Sequence, residues 1–402
     1  MTRVCKHRQS GKCDVVGELC GVPGGVAVTE EDCQRCQKPA NGEQQDKNSV
    51  TAYLAMKHLA QNDQEVLKTK RPELEKLINR KAGGCGQSTP IGGDVKTLLL
   101  RSNQSPGDIM TMTAAVYSLH ASYPQRFKTA VSTTCMEIWE NNPLVHVLAE
   151  GENPDAALDM KYPLIHKSNN VNYPFLGAYA EFLSNFLGMP FQLKCNRPVL
   201  YLSSEEKEWM GQVQELVGGK PVKYWIVDAG VKSDFTCKQW PIEYYQEVVN
   251  RTRHLVEWVQ IGASEHDHPL LDNVIDLRGQ TEGRKFVRLV YHSQGGLGPV
   301  TYLQHLCAAW KKPYMCLLGG REPVTWVTYP LQTTFHSMGQ LDCCRSGACW
   351  KSRVLPLEDK SKQDDSLCEQ PVPSGIRPVG RCMKMITPDE VVAVLRKQMG
   401  DN

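Results

Sequence analysis

At 402 residues the chain exceeds the ~250–300 at which a single hydrophobic core usually stops growing, so two core domains are expected. A formal charge of +2 with 22% charged residues argues against nucleic-acid steering and against an acidic tail. No run of about 18 apolar residues occurs, and Met1 to Cys13 carries basic residues without an apolar stretch, so the expected compartment is the cytoplasm, with no membrane span.

Residues 1–48 are rich in cysteine, glycine and polar side chains. Only Cys33-Gln34-Arg35-Cys36 has tight chelating spacing, with Cys5, Cys13 and Cys20 as completing ligands, and either a zinc ribbon or an iron–sulfur cluster would fit. Five Lys/Arg against five Asp/Glu over residues 1–36 leave no basic footprint for nucleic acid. Residues 49–94 read as a helical linker: Ser49 is a plausible N-cap, Tyr53, Met56, Leu59 and Ala60 fall at helical spacing, and a second piece follows Pro72.

The next segment, 95–217, alternates strands with helices, which implies a parallel, doubly wound sheet. The expected strands are 95–101, 129–131 and 144–148. The expected helices are 109–119, a piece with Leu176, Tyr179, Phe182, Leu183 and Phe186 on one face, and the Glu-rich connector 203–217. A break at Gly218-Gly219-Lys220-Pro221 sets the boundary to a second domain, 218–335. It opens with strand 224–227, continues with a helix started by Trp240-Pro241, where proline suits the first turn, and adds strand 258–261 and the segment 274–277.

Residues 286–320 then read as a nucleotide-diphosphate half-site. Apolar 286–290 precedes the glycine-rich turn Ser293-Gln294-Gly295-Gly296-Leu297-Gly298-Pro299, a helical run through Trp310, and apolar 314–318. A glycine turn feeding a helix start aims backbone N–H groups and the helix dipole at an anion. Two such α/β domains would face each other across a ligand cleft.

Sixteen cysteines, clustered at both ends in a chain this long without an export signal, suit thiolate metal sites better than a disulfide framework. Cys85, Cys135, Cys195, Cys237, Cys307 and Cys316 are scattered singly and read as small core residues. Near the end, Cys343, Cys344, Cys349, Cys368 and Cys382 lie in residues 336–387, whose polar, Pro/Gly-rich part from 368 to 382 is too poor in apolar residues to fold by burial alone. Residues 388–402 form a last helix.

The second domain resembles the heptosyltransferases of glycosyltransferase family 9 through Lys238-Gln239-Trp240-Pro241, Gly262-Ala263-Ser264-Glu265, Asp276-Leu277-Arg278-Gly279-Gln280-Thr281 and Ser293 to Gly298. The first matches through Leu100-Arg101, Ser105-Pro106-Gly107-Asp108-Ile109 and Glu137-Ile138-Trp139-Glu140-Asn141-Asn142-Pro143. The likeness spans roughly residues 95–400. It implies a GT-B fold of two Rossmann-like domains facing a cleft, and an inverting transfer of a heptose-like sugar from a nucleotide-diphosphate donor to an acceptor hydroxyl.

The resemblance implies Asp108 as the base and Lys238 beside the donor phosphates. Glu265 would lie at the ribose, Thr281 near the donor, and Gln294 with the amides of Gly295, Gly296 and Leu297 would form the phosphate cradle. The family commonly carries Asp-Thr-Gly or Asp-Ser-Gly at this loop, where this chain has Ser293-Gln294-Gly295-Gly296.

The C-terminal cysteines resemble the four-cysteine iron finger of the autotransporter heptosyltransferases. Cys349, Cys368 and Cys382 match its last three ligands and Cys343 or Cys344 its first. Four thiolates suit zinc or iron equally, and a fully protein-ligated metal is structural, with none required for transfer. The acceptor is left open among a glycan, a protein hydroxyl and a modified nucleic-acid base, as is self-association, which the finger-bearing relatives show. A sugar-nucleotide epimerase of the same fold and a noncatalytic metal-stabilised scaffold are the competing function classes.

Overall fold

The computed structural model describes residues 96–400 apart from 163, 164 and 282, together with three two-residue strands near the N-terminus. The chain divides into two compact units, Met1–Gly92 and Gly93–Asn402. In the first, β1 (Arg8–Gln9), β2 (Lys12–Cys13) and β3 (Val26–Ala27) form an antiparallel sheet in that order. Cys13 lies on β2. Cys5, Cys20, Cys33, Cys36 and the expected helical linker lie outside the described residues.

The second unit holds two parallel sheets. The smaller has the order β5-β4-β6, with β4 (Lys96–Ser102) between β5 (Phe127–Thr133) and β6 (Ala156–Asp159). Leu98, Leu100 and Ser102 alternate inward along β4, the period-two signature of a strand. Residues 144–148 do not form the expected strand. Val145 makes one isolated bridge to Thr129, and Val147 is 86% exposed, so this apolar run has no partner face to be buried on.

Helix α1 (Pro106–Ser122) starts with Pro106 in its first turn and is buried along nearly its whole length. It lies between α2 (Ala178–Leu187) and a helix of the larger sheet, which is why its apolar residues do not keep to one stripe. The connector is two short helices, α3 (Ser204–Glu208) and α4 (Gln212–Leu216).

The larger sheet has six parallel strands in the order β12-β11-β10-β7-β8-β9. These are β7 (Tyr224–Asp228), β8 (Glu257–Ile261), β9 (Ile275–Asp276), β10 (Gly295–Gly298), β11 (Tyr314–Gly319) and β12 (Gln332–His336). Helix α5 (Ile242–Thr252) connects β7 to β8, α6 (Arg284–His292) precedes β10, and α7 (Tyr302–Ala309) connects β10 to β11. Chain order runs outward from β7 to β9 on one side and from β10 to β12 on the other, so the order reverses between β7 and β10. In a doubly wound sheet a ligand crevice opens there, beyond the carboxyl ends of those two strands.

The expectation of a glycine-rich turn over 293–299 is corrected, and the apolar run before it acquires an element. Residues 286–290 belong to α6, with Phe286, Val287, Leu289 and Val290 buried at helical spacing and Arg288 turned outward to Glu215. The glycine-rich segment is itself the buried strand β10, pairing with β7 and β11. Glycine is needed there for close approach. A Cβ on Gly295 would lie 2.8 Å from the Trp225 ring and the Pro313 carbonyl, and one on Gly298 would lie 2.9 Å from Asp228 Cβ.

The main core joins Trp225, Trp258, Leu297, Met315 and Leu317 of this sheet to Trp240 and Tyr245 of the α5 region and to Val391 and Leu395 of the last helix. That helix, α8 (Pro388–Met399), starts with a Thr387–Glu390 capping box and ends at Gly400 in the left-handed region. Truncating Trp240 or Trp258, both fully buried, removes about 3–5 kcal/mol of stability. Trp240 also donates its indole N–H to the Ile386 carbonyl at 3.0 Å, a packing role. No helix among the described residues is long and apolar enough to cross a membrane.

Candidate active site and thiol cavity

Charged groups that an apolar core would not tolerate unpaired gather at the strand-order reversal, where a doubly wound sheet is expected to open its crevice. Asp228 ends β7 and is fully buried. Its Oδ2 accepts from the Thr301 hydroxyl at 2.9 Å, and burial pushes its pKa up to about 6. Thr301 belongs to the turn Pro299-Val300-Thr301, which links β10 to α7. This is the glycine-fed helix start that residues 293–299 seemed to offer, displaced toward the C-terminus.

Lys238 closes the turn Ser233–Lys238 after β7. Its Nζ reaches the Val300 carbonyl at 3.0 Å and the Glu322 carboxylate at 3.0 Å. Glu322, just beyond β11, is buried and also pairs with Arg321. Burial alone would raise its pKa, yet Lys238 and Arg321 together hold it below the usual carboxylate value. His305 on α7 donates to or accepts from the Tyr329 hydroxyl at 2.8 Å, and burial followed by the Lys238 charge pushes its pKa down to about 3, so it is neutral.

Asp108 comes from the other sheet, in the first turn of α1. Its Oδ2 accepts from the Ser105 amide at 3.1 Å and its Oδ1 from the Tyr162 hydroxyl at 2.7 Å. Burial raises its pKa above the ordinary carboxylate value despite the Tyr162 hydrogen bond and the Lys238 charge, which pull it down. The glycine before Asp108 makes a close approach feasible: a Cβ on Gly107 would sit 3.0 Å from His305 Cδ2, so the 105–108 turn presses directly on α7.

The remaining expected donor residues are spread more widely. Glu265 is exposed on the turn that follows β8, and Thr281 is half-buried on the loop that follows β9. Both follow carboxyl ends of strands, the side on which the crevice lies. Gln294 does not. It precedes β10, its amide donates to the Tyr224 carbonyl at 2.8 Å, and at about 3.3 Å per residue it stands roughly 13 Å from the carboxyl end of the strand. Gly295, Gly296 and Leu297 are buried, and the Gly296 amide is already used by the Pro313 carbonyl at 3.1 Å, so these amides cannot form the cradle. Pairing of β10 with β7 on one side and with β11 on the other is the physical reason.

Beside the Lys238 turn lies a second constellation. Cys343, Cys344, Cys349, Cys368 and Cys382 line one cavity of about 20 Å³, and a sixth thiol, Cys237, lines it with them. Cys237 was expected to be a plain core residue; it is buried, and it shares the cavity wall with Cys368. Glycine backbones pack against the sulfurs. A Cβ on Gly320 would lie 2.9 Å from Cys344 Sγ, and one on Gly380 would lie 3.4 Å from Cys382 Sγ and 3.6 Å from Cys368 Sγ. Among the described residues, no group of three or more His, Cys, Asp or Glu side chains is arranged to hold a metal ion.

No family model matches the chain, and no curated protein matches it. Solved structures do. TibC, an iron-containing dodecameric glycosyltransferase from enterotoxigenic E. coli H10407, superposes with a TM-score of 0.51 at 16% identity, covering 76% of this chain and 76% of that one. Its complex with ADP-D-beta-D-heptose gives a TM-score of 0.50 at 15% identity, over 75% of this chain and 76% of that one. A glycosyltransferase family 9 protein from Veillonella parvula DSM 2008 gives 0.50 at 11% identity, over 77% of this chain and 98% of that one. The chain thus has the mixed α/β, parallel-sheet fold of these glycosyltransferases.

Proposed function

We propose that the chain is an inverting glycosyltransferase that moves a heptose-like sugar from a nucleotide diphosphate to an acceptor hydroxyl. The observation that carries this reading is the close contact of the Asp108 turn, through Gly107, with His305 and the start of α7, the helix that follows β10 at the strand-order reversal of the larger sheet. TibC, which shares the fold, binds ADP-D-beta-D-heptose. In this reading residues 95–217 hold the acceptor and 218–335 the donor. Residues 336–387 form a metal finger and 388–402 the closing helix.

The diphosphate lies against the Pro299–Thr301 turn and the start of α7, where unpaired amides and the helix dipole favour an anion. Lys238 supplies the ammonium that offsets charge on the departing diphosphate. Glu265 and Thr281, on loops beyond β8 and β9, take the nucleoside side. Asp108 removes the acceptor hydroxyl proton. The acceptor oxygen then bonds to the anomeric carbon from the face opposite the diphosphate, whose C–O bond breaks with the electron pair leaving on the phosphate oxygen. A raised pKa is what a base needs to hold that proton, and Tyr162 fixes which carboxylate oxygen faces the acceptor.

The thiol cavity fits a structural metal in donor type and size. It is walled by six cysteines, and about 20 Å³ exceeds the roughly 10–15 Å³ that one water-sized particle needs. Four of Cys343, Cys344, Cys349, Cys368 and Cys382 would hold a zinc or iron ion after turning inward, and the ion would stabilise the finger. Transfer itself uses the residues of the crevice. The test is binding of ADP and ADP-heptose by calorimetry, followed by a transfer assay. Absence of binding by both nucleotides would remove the proposal.

A further inference from the structure

We infer that the turn Ser233–Lys238 couples the thiol cavity to the diphosphate site, so that a metal in the cavity tightens nucleotide binding and a bound nucleotide tightens metal binding. The inference rests on the two readings above. It adds a role for Cys237 and a direction of communication between the sites.

Two adjacent residues of this turn face different sites. Cys237 lines the thiol cavity together with Cys368, while Lys238 pairs with Glu322 at 3.0 Å and reaches the Val300 carbonyl at 3.0 Å. The finger grips the turn along its length. The Cys237 amide donates to the Ser352 carbonyl at 3.0 Å, the Val354 amide donates to the Thr236 hydroxyl at 2.9 Å, and Arg353 donates to Asp234 at 3.0 Å. Arg353 has no solvent-exposed side-chain surface and is itself fixed by Asp359 at 2.7 Å and Asp364 at 2.6 Å.

The other member of the Lys238 pair is held by the same finger. The Cys349 amide donates to the Gly320 carbonyl at 3.3 Å, the Trp350 amide to the Arg321 carbonyl at 3.0 Å, and Arg321 Nε to the Lys351 carbonyl at 2.6 Å. Arg321 is next to Glu322 and paired with it. Both residues of the ion pair that faces the diphosphate are therefore one residue away from backbone held by the thiol-bearing segment. Drawing the thiols inward around an ion constrains both strands of this clamp, and so fixes where the Lys238 ammonium stands. Removing the ion loosens them together. Such coupling is reciprocal by linkage.

The experiment uses the full chain with zinc(II) as the metal and ADP as the nucleotide. ADP affinity is measured by calorimetry with the protein metal-loaded and after stripping under reducing conditions, and zinc affinity by competition with a chromophoric chelator, with and without ADP. The expected result is ADP binding at least about fivefold tighter in the loaded protein, with the same factor appearing in zinc affinity when ADP is present. Cys237→Ala should keep one zinc per chain yet bring that factor toward one, and Cys237→Ser, which keeps a hydrogen-bond donor, should restore part of it. If the stripped protein unfolds, loaded Cys237→Ala still decides, since its ADP affinity should fall about fivefold at unchanged zinc content.

Equal ADP affinity with and without zinc overturns the inference, as does a factor that Cys237→Ala leaves intact. A wild-type chain that holds no zinc removes the thiol reading, and one that binds zinc but no ADP removes the donor reading. The inference falls with either.

Discussion

Asp108→Asn should eliminate sugar transfer while leaving nucleotide binding intact and the fold at least as stable. The substitution preserves shape and hydrogen bonding. The asparagine oxygen can accept the Ser105 amide now at 3.1 Å, and its amide can donate to Tyr162, whose hydroxyl turns from donor to acceptor across 2.7 Å. Only the proton acceptor is lost. General bases contribute about 10²–10⁴-fold, or roughly 2.7–5.4 kcal/mol of barrier at about 1.36 kcal/mol per decade. Stability moves the other way. Burial raises the Asp108 pKa, so the folded chain binds this proton more tightly than the unfolded chain. The stability from this group is full below the unfolded value of 3.8 and is lost as pH rises through the folded pKa, so at neutral pH ionisation opposes folding. The neutral asparagine removes that opposition, and its melting temperature at pH 7 should equal or exceed that of the wild type. In the wild type, the acidic limb of the kcat profile should lie above that of an ordinary aspartate. The assay is transfer kinetics with labelled ADP-heptose, beside ADP calorimetry and thermal melting. Transfer within about tenfold of wild type would remove Asp108 from the chemistry, and a clear loss of melting temperature would refute the electrostatic argument.

Other consequences can be checked independently. Lys238→Ala removes a charge-assisted contact of about 1.5–3 kcal/mol, so ADP should bind roughly 10–150-fold more weakly by calorimetry, and an unchanged affinity would place Lys238 outside the donor site. Gly230→Ala puts a Cβ 2.2 Å from His268 Nδ1 and 2.4 Å from the Asp267 carbonyl. It should destabilise the fold by about 1–3 kcal/mol in urea titration and disturb the neighbouring turn that carries Glu265, whereas an unchanged midpoint would show that the His268 loop yields freely. Chelation under reducing conditions should open residues 336–387 to limited proteolysis, and an unaltered digestion pattern would count against a metal-held finger.

The local signals that proved legible were those a single element carries by itself. Strand 224–227 reads as a solid apolar run because it is buried on both faces in a parallel sheet, and the helix expected over 109–119 is present, its start carried back to Pro106 by the Ser105–Asp108 capping box. Asp108 and Lys238 were visible only through motifs, since a helix-capping aspartate and a surface lysine look the same in composition. The glycine-rich strand is not legible in the sequence because three glycines in four residues have low strand propensity, and what selects them lies elsewhere in the chain: the Trp225 ring, 70 residues before Gly295, Tyr314 beside Gly296, and Asp228 beside Gly298. The spacing of Phe286, Val287, Leu289 and Val290 is that of one helix face, a signal the sequence carries locally.

Cys237, Asp228 and Glu322 show the deeper limit. The two carboxylates sit at or near the end of an apolar run and Cys237 in a polar turn, and each meets residues far along the chain: the cavity wall shared with Cys368 for the thiol, Thr301 for Asp228, and Lys238 for Glu322. A signal was present for the two carboxylates, because a charge ending a buried strand, or following one directly, must be matched by something once folded. For the cysteine there was none, since an isolated buried thiol is most often inert packing. What distinguishes Cys237 is that Lys238 follows it. One backbone step joins the wall of the thiol cavity to the ammonium proposed to meet the diphosphate, so a shift of the finger large enough to move Cys237 is expected to move Lys238 with it. The two sites are thus physically one element read from two sides, which is why zinc content and ADP affinity belong in the same experiment.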